Sequence, residues 1–224
     1  MLRRPQRKRL KKFGIKQTFG KFAKATNQIK MPVQKITKEE IVRKAIVVFR
    51  KQGYNKTSMR DLAQACGLQK GSFYHYFSSK EALMLEVLTT LLEYYRKKIF
   101  AIAYEEERSP LARLQAFFDQ QAPIFTQDLA GCLFGNITLE TISVEAEFRR
   151  VLQAFFKDWV AAFQYLFEEA GAPEKEAEEA AQQTVMQIEG ALMMMRVYQD
   201  IKLLGSACNW ALERLKRWPK AEKK

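Results

Sequence analysis

The segment 69–75 concentrates side chains that can donate hydrogen bonds to an external partner. The amide of Gln69, the ammonium of Lys70 and the hydroxyl of Ser72 are suited to base edges or to phosphate oxygens. Gly71 lies between them and has no side chain to keep a partner away from the backbone. The types and spacing of these residues favour recognition of a polar polymer over catalysis.

Three further side chains near this segment are suited to phosphate oxygens. They are the hydroxyl of Tyr74, the imidazole of His75 and the ammonium of Lys80. Helices predicted to begin near Ser58 and Ser79 would also direct backbone N–H groups towards phosphate. The pattern therefore provides both for positioning on a phosphate backbone and for reading base edges.

Residue patterns typical of an active site are missing from the sequence. His75 is the single histidine, and the three cysteines lie far apart with no CxxC pair. The sequence has no Gly-rich phosphate loop and no nucleophile elbow. We therefore expect no enzyme activity, no metal and no cofactor.

Short helices are predicted to hold the polar segment in place. Thr37-x-x-Glu40 is a capping box that begins a first helix, and Gly53 ends it. Ser58-x-x-Asp61 begins a second helix that ends at Gly67. A third helix is then predicted from Gln69 to Tyr76.

A long fourth helix follows this module. Ser78-x-x-Glu81 predicts its start, and its helical pattern extends past Tyr104. Beyond Pro110 the sequence predicts about five more helices, with breaks near 131–136 and 171–173. Helix-forming residues are abundant, whereas glycine and proline are scarce, so the fold class is all-α.

Four regions follow from these patterns. We expect a basic, disordered arm at 1–35, a three-helix DNA-binding module at 36–82, a C-terminal helical bundle at 83–218, and a disordered tail at 219–224. A helix that ends in glycine, followed at once by a short second helix, is the arrangement that places the second helix in the DNA major groove.

The string from Gly71 to Lys80, Gly-Ser-Phe-Tyr-His-Tyr-Phe-x-x-Lys, resembles the most distinctive sequence of TetR-family regulators. The resemblance covers about 37–90 strongly. Phe73 and Phe77 match core positions of the family. The positions that match DNA contacts in the family are Thr57, Ser58, Gln69, Lys70, Gly71, Ser72, Tyr74, His75 and Lys80.

The C-terminal half offers candidates for sensing a signal. Gly131-Cys-Leu resembles a segment of a TetR subgroup that responds to electrophiles, which makes Cys132 a candidate sensor. A lone cysteine among apolar residues is also typical of a small core residue. The residues that could line an apolar ligand pocket, or else simply form core or dimer interface, are Phe125, Phe134, Trp159, Phe163, Met186, Met193 and Met194.

The family resemblance implies partners and a mechanism. The segments 184–200 and 203–218 match the two helices that pair across a two-fold axis, so a homodimer on a palindromic operator in double-stranded DNA is expected. A small-molecule or electrophile signal would move the fourth helix and increase the distance between the two DNA-binding modules of the dimer. The dimer would then be released from the operator. Repression is the expected outcome, in the cytoplasm of a bacterium.

Most of the net charge of +13 lies at the N-terminus. Residues 1–30 contain eleven Lys or Arg and no acidic residue, which leaves +2 for the remainder. Such a block attracts phosphate, so a basic-tailed scaffold or a membrane-surface protein is the alternative function. Met31 is a possible alternative start that would omit the arm, and no segment predicts a membrane span.

Overall fold

A computed structural model describes residues 36–141 and 146–218, and its regular structure is helical throughout those ranges. Its α-helices are α1 (Lys38–Gln52), α2 (Met59–Ala65), α3 (Lys70–Tyr74), α4 (Lys80–Lys98), α5 (Pro110–Thr126), α6 (Leu133–Thr141), α7 (Ala146–Glu169), α8 (Glu174–Tyr198) and α9 (Lys202–Leu215). This confirms the all-α fold class. The expectations for the basic arm, the alternative start and the C-terminal tail lie outside the described residues.

The capping box before α1 fixes the start of that helix. The Glu40 N–H donates to Thr37 Oγ1 at 3.2 Å, and the Thr37 N–H donates to Glu40 Oε2 at 2.8 Å. At the other end Gly53 has φ +80° and donates its N–H to the Phe49 carbonyl oxygen. A residue with a side chain is strained at that φ, so glycine ends the helix there.

The start of α4 differs by one residue from the prediction. Ser79, and not Ser78, caps the helix, since its Oγ accepts from the Ala82 N–H at 3.1 Å. The backbone of Ser79 is extended, as a capping position requires, and Glu81 then lies too near the cap to complete the predicted box.

The fourth helix also ends earlier than predicted. After α4 the chain tightens into a 3-10 turn at Phe100–Tyr104. Buried Arg113 stabilises this turn by donating to the Ala103 carbonyl oxygen at 2.8 Å, and it pairs with Glu169 at 3.3 Å. The helical period alone does not show this break, because the residues of the turn remain apolar.

Aromatic side chains form the centre of the C-terminal part. Helix α7 is rich in aromatic residues, and Phe155 stacks on Phe134 with ring centroids 3.7 Å apart. Tyr95 packs edge-on against Phe155 at 5.0 Å. Burial of such rings contributes most of the apolar area that stabilises a helical domain.

The buried side chains form one continuous cluster from Ile41 to Leu215. It therefore extends across the predicted boundary at residue 82. The helices of the polar segment are supported by the same core as the C-terminal bundle, so a movement in one part is transmitted to the other.

None of the helices in the described ranges is long and apolar enough to cross a bilayer. Within the same ranges, no three His, Cys, Asp or Glu side chains are grouped closely enough to hold a metal ion.

Candidate functional site

A tight turn between α2 and α3 sets the direction of the polar segment. Gly67 has φ +70°, and the Leu68 N–H donates to the Ala63 carbonyl oxygen at 2.9 Å. The short helix α3 is then anchored by Phe73, which is fully buried, and by buried Phe77 just beyond it. These two aromatic residues occupy the core positions that the sequence predicted for them, and they hold α3 in place.

The opposite side of α3 faces solvent. The exposed residues are Gln69, Lys70, Gly71, Ser72, Tyr74 and His75, and we call this set the reading row. The Lys70 ammonium lies 5.9 Å from the centroid of the Tyr74 ring, one helical turn away. The structure thus brings six of the nine predicted DNA-contacting residues together on one accessible surface.

Gly71 has no packing role among the residues that the structure describes. A Cβ added at this position would meet no atom within 4 Å, and its φ is not in the left-handed region. Alanine is the better helix former, so the fold itself does not explain the glycine. Close approach of an external partner to the backbone would explain it.

Ser58 and Thr57 act mainly on the local backbone. Ser58 caps α2 by accepting from the Asp61 N–H at 3.2 Å and remains exposed. Its hydrogen bonds lower the pKa of the Asp61 carboxyl. Thr57 is only 2% exposed and donates its hydroxyl to the Gly53 carbonyl oxygen at 2.6 Å. Thr57 therefore shapes the turn before α2, which corrects the expectation that its side chain is available to DNA.

Lys80 is also used within the fold. Its Nζ donates to the Tyr54 carbonyl oxygen at 2.9 Å and lies 4.1 Å from the centroid of the Tyr54 ring. The Tyr54 hydroxyl in turn donates to Glu81 Oε1 at 2.9 Å. Lys80 therefore fixes the α1–α2 turn to the start of α4, and its predicted contact with phosphate stays a prediction.

A shallow groove beside the reading row adds residues that the sequence did not single out. Arg60 and Gln64 of α2 line it together with Gln69 and Lys70. Both are exposed, and Arg60 supplies a cation on the same surface as Lys70. Their one-turn spacing on α2 was the available signal, since residues four apart share a helix face.

A separate cavity of about 360 Å³ lies between α6, α7 and α8, in the range typical of small-molecule sites. Of the predicted ligand residues, it brings together Cys132 and Met193. Its lining residues are Gly131, Cys132, Gly135, Asn136, Thr138, Leu139, Phe156, Glu189, Gly190, Leu192, Met193 and Arg196.

The six other predicted ligand residues do not line this cavity. Phe125, Phe134, Trp159 and Phe163 are buried and contact other rings of the aromatic core. Their apolar character is explained by packing, which was the alternative interpretation of the sequence. Met186 and Met194 lie with Met193 along a groove between α8 and α9.

Cys132 is a buried thiol in surroundings that favour its protonated form. It is 3% exposed, and its sulfur accepts from the Gly135 N–H at 3.4 Å. Burial and the neighbouring Glu189 carboxylate raise the pKa of this thiol well above its usual value. Reaction with electrophiles needs a thiolate, so these surroundings do not provide the activation expected of a sensor.

Glu189 and Arg196 are the charged residues of this cavity that sequence reasoning missed. Burial raises the pKa of the Glu189 carboxyl to about 7, and a hydrogen bond with the Cys132 thiol opposes part of that rise. Arg196 Nη1 donates to Asn136 Oδ1 at 2.6 Å. No local motif marks either residue, because both come to the cavity through the packing of α8 against α6.

The helix that lines the cavity also contacts the turn between the first two helices. Glu140, near the end of α6, accepts from the Asn55 N–H at 2.8 Å, in the turn between α1 and α2. Its carboxylate also packs against Gly53. A second link is the guanidinium of Arg50 in α1, which donates to the Ile124 carbonyl oxygen at the end of α5.

Two protein families match the chain. Residues 41–87 match the family described as bacterial regulatory proteins, tetR family. Residues 110–209 match the C-terminal domain described as transcriptional regulator LmrA/YxaF-like. The two matches cover the reading row and the cavity respectively.

Several curated proteins are similar over most of the chain. An uncharacterized HTH-type transcriptional regulator in the lacX 3' region of Lactococcus lactis subsp. lactis is 30% identical over 173 residues, 76% of this chain and 88% of that protein. The regulator LmrA of Bacillus subtilis is 29% identical, covering 70% and 85%. The repressor DhaR of Mycobacterium sp. (strain GP1) is 34% identical, covering 57% and 63%.

Solved structures share the fold. A TetR transcriptional regulator from Legionella pneumophila aligns with a TM-score of 0.74 at 24% identity, covering 80% of this chain and 97% of that one. A TetR regulator from Chloroflexus aurantiacus aligns with a TM-score of 0.69, also at 24% identity, covering 80% and 94%. The architecture is therefore common to proteins of distant sequence.

Proposed function

The chain belongs to the TetR family of bacterial transcriptional regulators, and from this premise we propose that it is a homodimeric repressor released from its operator by a small molecule. Its general role is that of a DNA-binding transcriptional regulator. Beyond this role we propose which residues read DNA and that the protein is a dimer. We also propose the kind of signal and the site where it acts. A DNA-binding regulator of this family is expected to work in the bacterial cytoplasm.

The reading row is the observation that carries the DNA-binding assignment. It places an amide, a cation and two hydroxyls on the exposed side of α3 while Phe73 fixes the opposite side. A recognition helix needs this division, since its exposed residues contact base edges only if its buried face is rigidly held. We propose that Ser58, at the N-terminus of α2, contacts the flanking phosphate backbone of the DNA.

An exposed apolar face on α8 supports the homodimer. Met186, Met193, Val197 and Tyr198 are all largely exposed there, and Ile201 continues this face towards α9. A contiguous apolar face of this kind is unusual on a monomer, and a second copy would cover it. Two copies would present two reading rows, as a palindromic operator requires.

The contacts of α6 support release by a ligand. The same nine-residue helix lines the cavity and reaches the α1–α2 turn through Glu140. A ligand that shifts α6 would therefore displace the turn that Thr57 and Lys80 hold in place. The signal we propose is cavity occupancy, because the surroundings of Cys132 keep its thiol protonated.

A pair of tyrosine variants tests the reading row. Tyr74 and Tyr94 are each 43% exposed, but only Tyr74 lies on α3. We expect Tyr74→Ala to weaken binding to the upstream DNA of the gene by about 10- to 100-fold, and Tyr94→Ala to leave it unchanged. Fluorescence anisotropy at two salt concentrations measures both. Equal losses in the two variants would contradict the assignment of α3 as the recognition helix.

A further inference from the structure

We propose that the cavity between α6 and α8 binds a small apolar amine whose protonated nitrogen pairs with the Glu189 carboxylate. This inference rests on the proposed function, since it names the chemical class of the releasing ligand. It extends that function by giving the cavity an electrostatic preference, which apolar lining residues alone cannot provide.

The first observation is a carboxylate without a counter-ion. Glu189 lines the cavity, and its Oε1 is buried with no hydrogen-bond partner among the described residues. The neighbouring Cys132 thiol is a weak donor and does not neutralise the charge. A buried charge is costly unless it is paired, and the pKa of about 7 reports that cost. A ligand cation that pairs with the carboxylate would remove this energetic cost.

The second observation is the space that Gly135 leaves for the carboxylate. A Cβ at this position of α6 would stand 2.5 Å from Glu189 Oε2, closer than atoms can approach. Glycine is not needed there for a left-handed backbone, because residue 135 lies within α6 and has no positive φ. The absence of a side chain therefore fixes where the carboxylate sits at the wall of the cavity.

The third observation is the character of the remaining walls. Leu139, Phe156, Leu192 and Met193 provide an apolar surface that suits one or two rings. Arg196 is the cation of the lining, and its guanidinium is already bonded to Asn136 Oδ1. An anionic ligand would lie in the same cavity as the Glu189 carboxylate, which would repel it. The charges of the cavity therefore favour a cation over an anion.

A matched set of naphthalene compounds tests the preference on the full-length protein. We would measure binding of 1-naphthylmethylamine, 1-naphthylmethanol and 1-naphthoate by isothermal titration calorimetry. We expect the amine to bind at least about tenfold more tightly than the alcohol, and the carboxylate to bind most weakly. The proposal is overturned if the alcohol or the carboxylate binds as tightly as the amine, or if no compound binds.

Two pairs of variants assign the preference to Glu189. Glu189→Gln should abolish the advantage of the amine over the alcohol, whereas Glu178→Gln, an exposed position on the same helix, should retain it. Gly135→Ala should reduce amine affinity severalfold by displacing the carboxylate. Gly205→Ala is the matched control, because Gly205 lies on α9 outside the cavity lining and a Cβ added there would meet no described atom within 4 Å, so amine affinity should be unchanged. An unchanged amine preference in Glu189→Gln would refute the pairing.

The pH dependence gives an independent readout. Among the described residues, the other titratable or charged side chains that line the cavity are Cys132, whose burial favours the protonated thiol, and Arg196. Amine affinity should therefore rise between pH 6 and pH 8 as Glu189 ionises, and the rise should be absent in Glu189→Gln. A wild-type affinity that does not change over this range would count against the proposal.

Operator release is measured separately, so that the two proposals can fail independently. Amine binding that leaves operator affinity unchanged would support the ligand class and contradict regulation through this cavity. Operator binding with no amine preference would leave the DNA-binding function intact and overturn the inference about the ligand.

Discussion

Gly71 is a position where stability and DNA affinity should change in opposite directions. No described residue occupies the space beside it, and alanine is favoured over glycine in a helix by about 0.5 to 1 kcal/mol. We expect Gly71→Ala to raise the free energy of unfolding slightly and to weaken operator binding. Thermal unfolding and anisotropy measure the two effects. An unchanged affinity would show that the backbone of α3 does not approach DNA closely at this residue.

Glu189 should make the protein less stable as the pH rises. Its carboxyl has a pKa of about 7 in the folded chain and 4.5 as its reference value, so the folded state holds the proton more tightly. The stability that this proton contributes is present at low pH and is lost as the pH rises through 7. The difference between the two pKa values corresponds to a loss of about 3 kcal/mol.

Glu189→Gln should remove this dependence, because the amide does not titrate. Urea unfolding of both proteins at pH 5 and pH 8 gives the difference in free energy of unfolding at each pH. We expect the variant to gain stability relative to the wild type at pH 8. A difference that is equal at the two pH values would show that Glu189 titrates normally.

Helix α8 is the element on which the proposed dimer depends. Val197 is 69% exposed on its apolar face, and Val47 on α1 is 64% exposed, which makes the two residues a matched pair. We expect Val197→Glu to shift the protein from dimer to monomer at micromolar concentration, since the charge would be buried at the interface. Analytical ultracentrifugation measures this shift. Equal dimer fractions in Val197→Glu and Val47→Glu would place the interface elsewhere.

Local signals predicted the helices well where capping residues mark them. Thr37 with Glu40 and Ser58 with Asp61 located α1 and α2, because capping is a contact between near neighbours in sequence. The helical period of α4 is a less accurate guide to burial. Leu83, Val87, Leu91 and Tyr94 repeat at helical spacing, whereas Tyr95 is the buried residue and Tyr94 is exposed. A stripe of helical period does not by itself select which of two adjacent aromatics faces the core.

The candidate sites also differ in how far local sequence predicts them. The reading row could be predicted because its residues are contiguous in the chain. The hydrogen bonds that Thr57 and Lys80 donate within the fold could not be predicted. Each depends on a carbonyl group placed by the turn between α1 and α2. Glu189 was missed because its burial results from the packing of α8 against α6, which no short segment encodes.

At the scale of the whole molecule, the N-terminal charge should affect DNA affinity without setting operator selectivity. Residues 1–30 contain eleven of the 38 basic residues, and the reading row lies outside them. We expect a chain starting at Met31 to bind all DNA more weakly, with a smaller change in affinity per change in salt, and still to prefer its operator.

Anisotropy titrations with operator and scrambled duplexes over a series of salt concentrations measure this. The slope of log affinity against log salt should decrease in the shortened chain, while the ratio of the two affinities should remain similar. Loss of that ratio would assign base reading to the N-terminal segment and would contradict the role of α3.

Met193 has a consequence for how this regulator could change over evolutionary time. It lines both the cavity and the groove between α8 and α9, beside the apolar face proposed for the dimer. A substitution there that adapts the cavity to a new ligand would also alter the surface available for self-association. Ligand preference and subunit assembly would then be inherited as one trait, and selection for a new signal would favour substitutions on α6 or α7 first.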